Sequence, residues 1–177
     1  VTLTIERPPY GNHIEITIIR DIIEMTSTSL RILTRGRAHI SISTFTDTTP
    51  DDVEEALVKL TNLGAKGLIL DLRNNPGGVL SAVVKTTEHF LDGGLVLYQE
   101  DPKSQRNECH AKKGGAGTSI PMVVLINGGS ASGSEVLAGA LSDHDRAILI
   151  GEKTFGKGSV NTLYQLSDGS GLYFTTG

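Results

Sequence analysis

Apolar residues along this chain fall into short unbroken runs separated by longer stretches with helical spacing. GLILDL (Gly67 to Leu72), PMVVLI (Pro121 to Ile126) and AILIG (Ala147 to Gly151) are apolar nearly throughout, which suits strands covered on both faces. In TTPDDVEEALVKLTNLG, by contrast, Val53, Ala56, Leu57, Leu60 and Leu63 recur at helical spacing, and the segment predicts a helix with one buried face. Its punctuation agrees: Thr49 can cap, Pro50 fits the first helical position, Asp51 and Asp52 complement the dipole, and Gly64 ends it. VLSAVVKTTEHFL and GSEVLAGALSD predict two further helices. The resulting alternation of strand and helix argues for an α/β fold with parallel strands.

The ends of the chain read differently. VTLTI and IEITIIR, joined by the turn-rich RPPYGNH, predict a hairpin over residues 1–23, and TLYQL and GLYFTT, separated by SDGS, predict another. A further β-type run spans His39 to Thr44. The polar, glycine-rich stretch from Gln99 to Ser119 reads as an exposed loop.

Composition narrows the function more than the fold. With 177 residues the chain has room for one domain with a real core. A formal net charge of −4 disfavours a nucleic-acid partner, which would need phosphate neutralisation. No apolar run approaches the ~20 residues of a membrane span, and no secretory leader pattern opens the sequence, so no membrane insertion is expected of this chain. The single cysteine, Cys109, has no internal partner for a disulfide, and with His110 it offers too few ligands for a metal. No metal or organic cofactor is implied.

Three glycine-rich junctions follow the three apolar runs, where α/β folds build their sites. RNNPGG (Arg73 to Gly78) is either a plain tight turn or a place where backbone N–H groups are freed to face an oxyanion. NGGSASGSE (Asn127 to Glu135) is either a helix cap or, given the small residues around Ser132, a nucleophile that a substrate backbone can approach. TFGKGS (Thr154 to Ser159) places Lys157 between two glycines; alone it would read as a surface lysine. What lifts it is company: the serine-rich helix start, the oxyanion-type turn and the flanked lysine all follow apolar strands of one sheet.

In their order and spacing, KGLILDLRNNPGG, GSASGSEVLAGAL and RAILIGEKTFGKGSV resemble the C-terminal processing, or tail-specific, serine proteases, from about residue 30 to the end. The resemblance implies a crotonase/ClpP-like spiral core over residues 24–177, with parallel strands and flanking helices. It also implies that the hairpin at residues 1–23 is the last pair of strands of a PDZ-like domain, most of which is absent. Carried over by position, Ser132 is the nucleophile and Lys157 its general base, and the backbone N–H groups of Gly78 and Gly133 form the oxyanion hole. Asn161 stands where the family often has a glutamine that orients the lysine, and Asp143 matches a position with a supporting role in some members. The implied substrates are proteins or peptides with accessible C-termini. The implied location is outside the cytoplasm, in a bacterial envelope or thylakoid lumen.

A lysine accepts a proton only when neutral, so Phe155 and the flanking glycines are expected to give Lys157 a close, water-poor pocket. Rival readings are a P-loop-like nucleotide site at Gly151 to Lys157, an enoyl-hydratase-like enzyme, and an inactive peptide-binding module of the same fold. The P-loop lacks its serine or threonine after the lysine, that place being Gly158. The hydratase chemistry lacks paired acids after RNNPGG. A Ser-His-Asp triad would have to use His144, which adjoins Asp143 too closely for both to point one way.

Overall fold

The computed structural model describes every residue except 7, 8, 10, 12, 22–25, 101–102 and 177. The apolar runs form three adjacent strands, reaching one edge, of a five-stranded sheet whose strands are β3 (Thr28–Leu33), β4 (Arg37–Ile42), β5 (Gly67–Asp71), β8 (Met122–Ile126) and β9 (Ile148–Gly151), in that order across it. The pairs β4–β5, β5–β8 and β8–β9 are parallel, and β3 pairs antiparallel with β4. The α/β class expected from the sequence is therefore found, with one antiparallel edge added by a strand that the sequence did not announce.

Register explains where the core lies. Ala38 pairs with Leu68 and Leu68 with Met122, while Ile40 pairs with Leu70 and Leu70 with Val124; all six are buried. Against this face pack α1 (Thr49–Asn62), α2 (Leu80–Glu88) and α3 (Gly133–Asp143). Val53, Leu57 and Leu60 of α1 are completely enclosed, each contributing about 1.5–3 kcal/mol by leaving water. The opposite face departs from expectation. Ile69, Val123 and Leu125 are only half-buried there, and Ile148 and Ile150 are exposed, so among the described residues the sheet is well covered on one face.

α1 begins one residue earlier than its sequence suggests, with Thr48 as N-cap. Thr49 lies inside the helix, buried, where its hydroxyl accepts the Thr46 N–H (2.8 Å) and meets the Ser27 hydroxyl (2.6 Å). Gly64 does end the helix. In a left-handed conformation (φ 68°) it donates to Thr61, and Ala65 donates back to Leu60, the paired bonds that close helices at glycine. Leu63, the C-cap just beyond the last helical residue, is 67% exposed rather than on the buried face.

Among the described residues, three two-stranded ribbons accompany the sheet. β1 (Thr2–Glu6) pairs with β2 (His13–Thr17), and β10 (Asn161–Gln165) with β11 (Gly171–Thr175), both antiparallel as predicted; part of the RPPYGNH turn lies outside the described residues. The third ribbon is a correction. Eight of the 21 residues in the expected loop from Gln99 to Ser119 belong to β6 (Gly94–Glu100) and β7 (Arg106–Ala111), an antiparallel hairpin. β7 is mostly exposed and polar, so it shows no alternation for a sequence reading to find.

Candidate active site

The site is built where β5 and β8 end. After β5, Asp71 is buried at 6% exposure and receives the Arg73 guanidinium at both oxygens (2.9 and 2.7 Å). Those side-chain bonds, aided by the Arg73 N–H and by His39 at 3.1 Å, hold the Asp71 carboxyl at about 2 against the opposing effect of burial. The turn that follows is organised by Asn75, completely buried: its amide donates to the Ile42 carbonyl (2.9 Å) and accepts the Gly77 N–H (2.8 Å).

Gly77 and Gly78 then run alongside Phe45 as an isolated parallel bridge. The Gly77 carbonyl accepts the Phe45 N–H, and the Val79 N–H donates to the Phe45 carbonyl. With its neighbours' groups committed to one side, the N–H of Gly78 points to the other, toward the cavity it shares with Ser132. Only glycine fits here. A Cβ on Gly78 would overlap the Phe45 carbonyl oxygen, and its φ of 155° already disfavours a side chain.

The second turn joins β8 to α3 and is pinned to the first. The buried Ser130 hydroxyl donates to the Leu72 carbonyl (2.7 Å), the buried Ser134 hydroxyl to the Asn75 carbonyl (2.9 Å), and the Ala131 N–H also to Asn75 (3.0 Å). Ser132 stands between them as the N-cap of α3, half-buried, with φ 53° and ψ −113°. A non-glycine residue held there stores on the order of 1–3 kcal/mol, a cost that packing elsewhere must offset and one often met at reactive turns. Gly133, next in sequence, packs on the first turn so closely that its nitrogen lies 2.8 Å from where a Cβ on Gly77 would be.

Lys157 comes from an extended segment that contains no helix between Glu152 and Val160. The residue that brings it to the serine is Glu135, which the sequence reading passed over. One carboxylate oxygen accepts the N–H of Gly156 (2.6 Å); the other accepts the N–H groups of Lys157 (2.9 Å) and Ser132 (2.7 Å). Burial works against ionisation of this carboxyl, but Gly156, the Thr154 hydroxyl, Lys157 and Ser132 together outweigh it and hold Glu135 below the ordinary carboxylate value of 4.5. The Phe155 N–H bonded to the Ser130 carbonyl (3.0 Å) gives a second tie. The spacing Ser132-Gly-Ser-Glu135 is a capping-box signature, the one local signal that could have singled Glu135 out.

One cavity of about 330 Å³ is lined by Gly78, Ser132, Gly133, Lys157 and Asn161, with Tyr173 of β11 at its side. An adjoining one of about 390 Å³ is bounded by Ser132 and Lys157 together with Leu80, Leu97, Val136 and Val160. Five of the six residues singled out in the sequence thus meet at one place. The water-poor pocket around Lys157 is not found: the lysine is exposed, and so is Phe155, at 69%. The Asn161 carboxamide oxygen accepts the Thr175 hydroxyl (2.9 Å). Asp143, the sixth, is exposed at the far end of α3, eleven residues and about 16 Å of helix from Ser132.

His144 stands at that same far end, its Nε2 hydrogen-bonded to the Leu95 carbonyl (2.8 Å), and takes no part in a triad. The segment Gly151 to Lys157 opens no helix, which removes the phosphate cradle a P-loop requires. His110 pairs with Glu108 (2.9 Å) on the exposed β7. Among the described residues no helix is long and apolar enough to cross a membrane.

Comparison with known proteins agrees with this geometry. Residues 37–177 match Peptidase family S41. The chain is 40% identical over 165 residues to a carboxyl-terminal-processing protease of Synechocystis sp., covering 91% of this chain and 38% of that protein. It is 39% identical over 170 residues to carboxyl-terminal-processing peptidase 3, chloroplastic, of Arabidopsis thaliana, covering 91% and 33%. The solved structure of a photosystem II D1 C-terminal processing protease superposes with a TM-score of 0.78 at 31% identity, over 99% of this chain and 49% of that one. The chain therefore spans between a third and a half of the length of these relatives, and it belongs to peptidase family S41, the serine-type peptidases that include the carboxyl-terminal processing proteases.

Proposed function

We propose that this chain carries the catalytic centre of an endopeptidase that cleaves protein substrates near their C-termini through a Ser132/Lys157 dyad. The observation that carries this reading is the single cavity lined by Ser132, Lys157 and the glycines of both turns. Ser132 Oγ attacks the scissile carbonyl carbon while neutral Lys157 Nζ takes the hydroxyl proton. The carbonyl oxygen, now an anion, accepts hydrogen bonds from the N–H groups of Gly78 and Gly133, which lie on turns already fixed in place and need no rearrangement. On collapse the C–N bond breaks, Lys157 returns its proton to the departing amine, and an ester to Ser132 remains. Water, deprotonated by the same lysine, then hydrolyses that ester.

In this structure Lys157 is exposed, so the desolvation that favours its neutral form comes when a peptide fills the cleft. Asn161 orients the lysine amine: Thr175 occupies one lone pair of its carboxamide oxygen, and a second remains. Asp143 acts through α3 rather than on the reacting atoms. The apolar walls Leu80, Leu97, Val136 and Val160 beside Ser132 suit a small aliphatic side chain next to the cleaved bond. β1 and β2 are the closing strands of a PDZ-type domain, and the enzyme works outside the cytoplasm, in a bacterial envelope or thylakoid lumen.

The test is labelling with a fluorophosphonate followed by peptide mapping. The adduct is expected on Ser132, and Ser132→Ala should abolish both adduct and cleavage while melting at an unchanged temperature. An adduct on Ser130 or Ser134, or none under conditions where the chain cleaves peptides, would overturn the assignment.

A further inference from the structure

Asn161 and Thr175 open the β10–β11 ladder as direct partners. Just before them the Thr176 N–H donates to the Val160 carbonyl (2.8 Å), and hydrogen-bonded and non-hydrogen-bonded pairs alternate along an antiparallel ladder. Asn161 and Thr175 are therefore a non-hydrogen-bonded pair, the kind whose side chains stand closest. The Thr175 hydroxyl spans that gap and donates to the Asn161 carboxamide oxygen (2.9 Å). Successive side chains of a strand point to opposite faces, and the next residue on each strand forms a second pair on the ribbon's other face: the hydroxyls of Thr162 and Thr176 lie 3.0 Å apart. The two pairs differ in what lies beyond them. Asn161 lines the cavity with Ser132 and Lys157, whereas neither Thr162 nor Thr176 borders it.

We propose that Thr175 is a positioning residue of the catalytic site: by holding the Asn161 carboxamide, it sets the direction from which the Lys157 amine is held. The proposal rests on the reading of Lys157 as base and Asn161 as its orienting partner. A neutral amine has a single lone pair, which must face Ser132 Oγ, so its N–H groups have to be accepted elsewhere. Asn161 supplies an acceptor in the second lone pair of its oxygen. The last bond of an asparagine side chain turns over a broad range, and each turn carries that oxygen away from the amine. Thr175, bonded to the oxygen, holds the carboxamide plane so that the free lone pair keeps one direction. Such a restraint matters here because little else guides the base: Lys157 is exposed, and among the described residues no carboxylate pairs with its amine. The ribbon thus carries two similar side-chain ties, of which only the one facing the cleft bears on the reaction.

Thr175→Val keeps the shape of the side chain and removes the donor. In cleavage of a fluorogenic peptide it should lower kcat about three- to tenfold, the contribution of one neutral hydrogen bond, with KM unchanged, and Thr175→Ser should restore the rate. Thr162→Val breaks the corresponding pair on the ribbon's other face; it should cost a similar amount of stability in chemical denaturation and leave kcat at the parent value. In an Asn161→Ala background, Thr175→Val should have no further effect on kcat, because the group it holds is gone. Parent-like kcat in Thr175→Val, equal losses of kcat in the two valine variants, or multiplication of the Thr175→Val and Asn161→Ala losses would overturn the proposal. Lys157→Ala in the same assay separates this from failure of the underlying reading. A silent Thr175→Val beside an inactive Lys157→Ala removes the positioning role and keeps the dyad; cleavage retained by Lys157→Ala removes both.

Discussion

The two halves of the cleft are held by different means. On the serine side, Ser132, Gly78 and Gly133 sit on turns locked by buried hydrogen bonds from Asn75, Ser130 and Ser134, continuous with the core. On the lysine side, Lys157 is exposed on an extended segment tied back through Glu135 and the Phe155 N–H. On the proposed reading, the oxyanion donors thus face a place prepared before substrate arrives, whereas the base stands in water until substrate covers it. Preorganisation matters most for groups that must not move as charge develops, and a proton acceptor on a long side chain tolerates more freedom.

The comparison is broken most sharply at Lys157. Lys157→Ala and Lys157→Arg should both lower kcat/KM by about 10²–10⁴-fold, the usual contribution of a general base, since arginine stays charged. Because the lysine is exposed, the melting temperature of either variant should match the parent. In the unaltered chain kcat/KM should rise with pH through one ionisation. Near-normal cleavage by Lys157→Ala with loss in His144→Ala would show that the lysine half is not catalytic.

Glu135→Gln tests the tie between the halves. An amide presents one acceptor oxygen where the carboxylate presents two to three N–H groups, and bonds to charged acceptors are worth about 1.5–3 kcal/mol. A loss of roughly tenfold to hundredfold in kcat/KM is expected, with Ser132 still labelled. Sign matters for the pH dependence. Glu135 ionises more readily in the folded chain than its ordinary value of 4.5, so its stabilisation is complete above that value and is lost as pH falls through the lowered one. The parent should hold its lysine segment in place at pH 4.5 and release it only as pH falls through the lowered value, whereas in Glu135→Gln that acid limb disappears. A variant with an unaltered acid limb would assign Glu135 a purely structural role.

Ser130→Ala and Ser134→Ala probe the serine half with the smallest effect. Each removes one of two hydrogen bonds to a buried carbonyl, at Leu72 or Asn75, which keeps its bond from the Asn75 or Ala131 N–H, for about 0.5–1.5 kcal/mol of stability. Chemical denaturation should show that loss while fluorophosphonate still marks Ser132. Loss of labelling at full stability would mean that these hydroxyls do more than hold the turn.

What the sequence disclosed follows the same division. The strands ending at Asp71 and Ile126, the helix from Gly133 and the three glycine-rich junctions were legible because their signals are local: unbroken apolar runs, a proline, a terminal glycine. Bonds across long sequence distance were not. Glu135 sits in a visible capping box, yet its reach to Gly156, 21 residues on, leaves no mark in composition. β7 escaped because a mostly exposed, polar strand need not alternate, β6 because its apolar stretch Leu95 to Leu97 is short and runs into polar residues, and β3, largely exposed at the sheet edge, for the same reason as β7. The expectation of a dry lysine pocket took glycine and phenylalanine as a sign of enclosure, while Phe155 in fact points to solvent.

The bridge between Gly78 and Phe45 changes how mutagenesis of the turn should be read. Alanine at Gly78 would push a methyl group into the Phe45 carbonyl, so its phenotype would report a displaced backbone instead of a missing oxyanion donor. An ester in place of the Gly77–Gly78 amide, introduced by chemical ligation, exchanges that N–H for an oxygen of similar size, removing the one donor in question without adding a side chain. In this turn the informative edit is to the main chain, beyond the reach of the genetic code's twenty side chains.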